Sequence, residues 1–232
     1  MTQKKFSNYL SYAFGEVILV IVGILIALQI GKWAEGVKKS EQEQVLLSNL
    51  LTDLKKDKEV LDSLTVHVDR LSQRLVSVAY ARNVNDILEY IESARYDFAF
   101  QAHNGTFEEA KSIGSMGLIK NNVLRNNTFQ YYLALERNRF LNETSAFKYN
   151  HEFTTRQIDE KVLASKNYFD KLGIPSRLPE LNLEELLSDK ELVGSILNRI
   201  RILNSQVSGW RAINEQAGEL ISAIETEQGS EE

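Results

Sequence analysis

The sequence predicts an all-α protein: an N-terminal transmembrane helix followed by an elongated antiparallel helical bundle with coiled-coil-like packing. Three observations predict it. Val17 to Ile30 is an apolar, charge-free run, with Gln29 its one polar residue, bounded by Glu16 and Lys32. Two long stretches further along repeat apolar residues at alternating spacings of three and four, the pattern of a helix buried along one stripe. The chain of 232 residues has only 2 prolines, Pro175 and Pro179, in one short segment, so long helices meet no break elsewhere.

Residues 1–8 form a short tail, and 9–34 are assigned to the membrane helix. The charge-free stretch from Val17 to Gly31 is about 22 Å of helix, shorter than a ~30 Å hydrocarbon core. The span therefore starts near Tyr9 or Tyr12, with Glu16 in the headgroup region and Tyr9, Tyr12 and Trp33 at the two interfaces. A cleaved secretory signal is the rival reading, with Ala34-Glu-Gly36 as a small-x-small site. Lys32 and Trp33 just before the scissile bond, and Glu16 at the edge of the apolar run, argue against cleavage. Gly23, Ala27 and Gly31 recur every four residues and give the helix a face on which another helix packs closely. Glu16 is either an interfacial residue or an ionisable group on a proton path, and Gln29, near the opposite boundary, can hydrogen-bond between helices. Lys4 and Lys5 precede the span while Lys32, Lys38 and Lys39 follow it, so lysine count alone does not fix orientation.

The run from Tyr9 through Gly15-Glu16-Val17 to Gln29-Ile30, closing on Trp33, resembles the N-terminal signature of a Bacteroidota family of single-pass membrane proteins known only as a domain of unknown function. Thr106 to Ile119, followed by Tyr131-Tyr132, is similar to that family's second recurrent block. The resemblance implies the bacterial inner membrane, a cytoplasmic N-terminus and a periplasmic C-terminal domain, and it brings no activity. This chain's amino end is shorter and less basic than is usual in that family.

Beyond the membrane, residues 35–82 read as one long helix. Leu47, Leu50, Leu54, Leu61, Leu64, Val68, Leu71, Leu75 and Val78 follow the seam, and Asp57 is its exception. No Gly or Pro lies between Val37 and Tyr80, so this helix can run on from the span. Residues 83–118 read as short helices and loops packed at one end of the bundle. Asn83-Val-Asn-Asp86 breaks the first helix, and Thr106 with Glu109 forms a capping box whose helix ends at Gly117 in preference to Gly114. Tyr96–Asn104 alternates in a strand-like way.

Residues 119–227 supply two long helices. The first starts near Asn122, with Phe129, Leu133, Phe140 and Phe147 marking its buried face. After the break at Gly173–Pro179, capping boxes at Asn182–Glu185 and Ser188–Glu191 precede the last helix. Its seam is Ile196, Ile200, Leu203, Val207, Trp210, Ala217, Ile221 and Ile224, with Asn214 the polar position. Asp57 and Asn214 read either as tolerated at a solvated edge or as fixing register. Residues 228–232 are a frayed polar tail.

Composition narrows function. Net charge is −5 with both signs scattered, and no basic block suggests nucleic acid. No cysteine is present, which excludes disulfides, thiol nucleophiles and thiolate metal sites. His67, His103 and His151 show neither the di-iron nor the zinc-protease spacing, and no phosphate loop or nucleophile elbow occurs. The expectation is therefore a non-enzyme without cofactor or metal. It is a membrane-anchored helical scaffold or assembly subunit, with an extracytoplasmic sensor or ligand-binding bundle as the alternative. Its expected partners are the lipid bilayer and either a second copy or other membrane proteins.

Overall fold

The computed structural model describes the backbone of residues 3–229, and their side chains except at 3–14, 141–143, 145–146, 149–150 and 152–157. The side chains of Lys4, Lys5, Tyr9 and Tyr12, and the end of the tail at 230–232, lie outside the described residues. The protein is all-α, and no strand occurs among the described residues.

Helix α1 (Gln3–Val76) is a single helix of 74 residues, about 110 Å long at 1.5 Å per residue. It passes through the apolar run and Ala34–Gly36 into the first seam without a break. The large apolar residues between Val17 and Ile30 are 46 to 74 % exposed, so nothing among the described residues covers them. This part of α1 is long and apolar enough to cross a membrane. Packing begins at Glu43 and Leu46, and from there Leu47, Leu50, Leu54, Leu61, Val68, Leu71, Leu75 and Val78 are buried. Each such Leu or Val contributes about 1.5–3 kcal/mol on burial.

A 3₁₀ turn at Ser77–Tyr80 ends α1, and Asn83 caps α2 (Val84–Ser93) by accepting the Asp86 N–H at 2.9 Å. The chain then returns along α1. Residues 97–104 run without helix, turn or bend into α3 (Gly105–Ile113). After a 3₁₀ turn at Ser115–Leu118, Lys120 reaches Ser40 and Glu43 at the start of the packed region. Helix α4 (Asn122–Glu152) runs outward again and continues as a π-helical stretch, Phe153–Leu163. Short helices α5 (Lys166–Lys171) and α6 (Leu183–Ser188) turn the chain, and α7 (Lys190–Gly229) comes back.

Cross-links give the directions. Lys55 pairs with Glu225, Arg211 with Asp69 and Ser72 with Asn204, so α7 is antiparallel to α1. Arg95–Asp159 and Lys171–Glu92 join the far end, and Asn121–Glu227 the near end. Helix α7 is central and packs on both α1 and α4. Its seam is buried where expected, apart from half-buried Ile200.

Four local expectations are corrected. The short helices do not gather at one end, because residues 81–121 descend the length of the bundle. Helix α4 does not bury Phe129, Leu133, Phe140 and Phe147, which are 38, 48, 71 and 70 % exposed. Its inner face is Leu124, Thr128, Tyr131, Tyr132 and Leu135, a neighbouring stripe of the same period with polar groups in it. Gly114, at φ 77°, is the left-handed cap of α3, while Gly117 lies in the following turn. The cap before α7 is Asp189 rather than Ser188: its carboxylate accepts the N–H groups of Glu191 and Leu192.

Candidate functional site

The descending segment creates a demand that seam leucines cannot meet, since an extended chain against a helix pair leaves its backbone polar groups unpaired. Polar side chains on the long helices meet it. The Arg199 guanidinium donates to the carbonyls of Ala94 at 3.1 Å and Tyr96 at 2.7 Å. Gln206 Nε2 donates to the Phe98 carbonyl at 3.2 Å. Asp57 Oδ1 accepts the His103 N–H at 2.7 Å, and Asp53 Oδ2 accepts the Thr106 hydroxyl at 2.6 Å. Glu43 Oε1 accepts the Lys120 N–H at 2.7 Å, and Oε2 forms an ion pair with the Lys120 ammonium at 3.0 Å. Thr106 is thus tied to α1, and its side chain does not cap its own helix.

Asp57 is the centre of this arrangement. It is wholly buried, and besides the His103 N–H it meets His103 Nδ1 at 2.9 Å and accepts the Tyr131 hydroxyl at 3.2 Å. With the carboxylate oxygen as acceptor, Nδ1 is the ring nitrogen that carries the proton. Burial, followed by the charge of Asp57, pushes the Tyr131 hydroxyl well above the ordinary tyrosine range. Tyr132 is shifted the same way by burial and then by Asp57, Asp53 and Glu108. Its ring stacks on Phe107 with centroids 4.0 Å apart, and its buried hydroxyl has no hydrogen-bond partner among the described residues. Burial also lowers the Arg199 pKa, against the nearby Asp97 charge at 3.6 Å.

A cleft of about 330 Å³ lies between residues 99–104, α4 and α7. Leu135, Trp210, Ile213 and Phe100 give it an apolar floor, with Tyr132, Glu108, Glu136 and Arg139 among its walls.

The residues singled out from the sequence lie elsewhere. Glu16, Gly23, Ala27, Gln29 and Gly31 are all exposed on the unpacked part of α1, with open space beside each of the two glycines. At about 100° per residue, Gly23, Ala27 and Gly31 fall on the side of α1 opposite Leu47 and Leu50. The stripe of Gly23, Ala27 and Gly31 and the packed face of the bundle therefore point apart. Asn214 sits at a half-buried edge, donating to Asp62 and accepting from Lys58, whereas Asp57 is in the core. Sequence reasoning missed His103, Tyr131, Arg199 and Gln206. Asp57, the lone polar position in the α1 seam, was the signal for the first two; nothing in the spacing marks Arg199 or Gln206. No group of acidic and histidine side chains among the described residues has the arrangement of a metal site.

A model of a family of unknown function (DUF6090) matches residues 16–205. No characterised protein matches the chain. No solved structure matches it.

Proposed function

The chain belongs to that family of unknown function, and from this starting point we propose that it is a non-enzymatic, membrane-anchored helical scaffold or assembly subunit. One observation carries the reading: α1 is uninterrupted from the exposed apolar run into the buried seam of the bundle. A continuous helix of this kind holds the bundle at a fixed attitude to the bilayer, which suits a subunit that positions others. Lys32 and Trp33 next to Ala34–Gly36, and Glu16 at the edge of the apolar run, favour a retained anchor over a cleaved signal. The proposed location is the bacterial inner membrane, with Met1–Lys5 cytoplasmic and the bundle periplasmic. Lys4, Lys5 and the absence of cysteine support that orientation.

The proposed contact face is Gly23, Ala27 and Gly31, where small residues let backbones approach in lipid. The seam at Leu47–Val78 lends it no support, because that seam is filled within one chain by α7 and the descending segment. Glu16 and Gln29 would flank the contact at the two membrane boundaries.

Co-purification from native membranes tests the proposal. Stoichiometric partner proteins, or copies of the chain, cross-linked in a way that Gly23→Ile with Ala27→Ile abolishes, are the expected result. A monomer without protein partners contradicts it. The second reading, a ligand-binding extracytoplasmic bundle, is favoured by the cleft beside Tyr132.

A further inference from the structure

We infer that the outward face of α4 is a contact between two copies of this chain standing side by side in one membrane. The inference rests on the anchor reading, which fixes how two copies approach, and it adds a surface outside the bilayer that the small-residue stripe does not supply.

The face is a seam without a partner. Phe129, Leu133, Phe140 and Phe147 keep the spacing of a packed helix, with Glu136 as the polar position between Leu133 and Phe140. At about 100° per residue the four apolar residues fall within about 40° of one another, roughly 130° round α4 from its buried stripe. All four are exposed, so nothing among the described residues covers them.

The area suits a pair held in a membrane. A phenylalanine side chain offers about 150–250 Å², so Phe140 and Phe147, 71 and 70 % exposed, leave roughly 200–350 Å² between them in water. Phe129 and Leu133 bring the stripe to on the order of 400 Å², within the range of patches that mark a contact. Two such stripes face to face, with their flanks, bury about 1,000 Å², the lower bound of a specific interface. Confinement to one bilayer raises the effective concentration, so a contact of this size suffices there. In detergent that confinement is lost and the copies separate.

Direction and charge select the chain's own copy. Two chains anchored by α1 in one bilayer point the same way, so α4 meets α4 in parallel about a two-fold axis along the membrane normal. Leu133, Phe140 and Phe147 then each meet their counterparts. Glu136 and Arg137 are adjacent and both exposed. In a parallel pair the residue after such a seam position flanks the other helix's seam, so Arg137 of each copy lies by Glu136 of the other. An apolar partner helix without that arginine would leave Glu136 uncompensated.

The chain has no cysteine, so single-cysteine variants of the full-length protein report one position each in native membranes. Leu133→Cys and Phe147→Cys are oxidised separately with copper phenanthroline, with the exposed Glu59→Cys on α1 as the control. Residues 133 and 147 lie about 21 Å apart along α4, so only a parallel, in-register pair cross-links both to their own counterparts. The expected result is a species of twice the chain mass from both variants, at least tenfold above the control. Adding Phe140→Glu, at a side chain exposed in the single chain, should lower the cross-link at least fivefold, whereas Gly23→Ile with Ala27→Ile should leave it in place. A chain missing from the membrane fraction would overturn the anchor reading and this inference together. A chain present there without the cross-links, cross-linked at one position only, joined to a different protein, or unaffected by Phe140→Glu would overturn this inference alone.

Discussion

Asp57 Oδ1 receives two donors from one residue, the His103 backbone N–H at 2.7 Å and the His103 ring nitrogen at 2.9 Å. Their separation in sequence is 46 residues, so this one carboxylate fixes where the descending segment crosses α1. A seam position that looks like a flaw in the apolar pattern is therefore the point where two parts of the chain are registered. Arg199 and Gln206 on α7 do the same for the carbonyls of Ala94, Tyr96 and Phe98. Between them, α1 and α7 hold the segment from both sides.

Asp57→Leu restores an ideal seam by sequence logic and should nevertheless destabilise the fold by about 3 kcal/mol. It strands the buried Tyr131 hydroxyl and the His103 N–H, each costing about 1–3 kcal/mol when unpaired. Urea unfolding of the full-length protein in detergent checks this. Unchanged or increased stability would show that the carboxylate does not hold the segment.

Phe140→Ala should change stability by no more than about 0.5 kcal/mol, because its side chain is 71 % exposed. Leu203→Ala, at a wholly buried position of α7, should cost about 2–5 kcal/mol. The same unfolding measurement compares the two. A costly Phe140→Ala would restore Phe140 to the buried face of α4.

These contrasts show how far the sequence could be read. The α1 and α7 seams are regular because each helix packs along nearly its whole bundle length, so apolar spacing and burial coincide. Helix α4 lies on one side of α7 and buries a narrower stripe that includes Thr128, Tyr131 and Tyr132. Its more apolar aromatics, Phe140 and Phe147, face outward, and reading apolar spacing as burial chose the wrong stripe. Residues 97–104 carry no helical period, and their path depends on partners more than forty residues away, which no local pattern encodes. The cleft was illegible for the same reason, being assembled from three such parts.

Alkaline pH should weaken the fold through Tyr131 and Tyr132. Their folded pKa values are raised, so the folded chain keeps protons that the unfolded chain releases near pH 10. Their contribution is whole below about pH 10 and is lost as pH rises beyond it, at up to about 1.4 kcal/mol per pH unit for each group. Tyr132→Phe removes one titrating hydroxyl and should make the loss of stability between about pH 10 and 11.5 shallower. An identical slope in the variant would contradict this assignment.

The apolar part of α1 is proposed to stay joined to the bundle as a membrane anchor. Intact-mass measurement of the chain recovered from alkaline-washed native membranes tests it most directly. The expected result is the whole 26.5 kDa chain, with residues 17–36 present, in the washed membrane fraction. A soluble product beginning after Gly36 would contradict it.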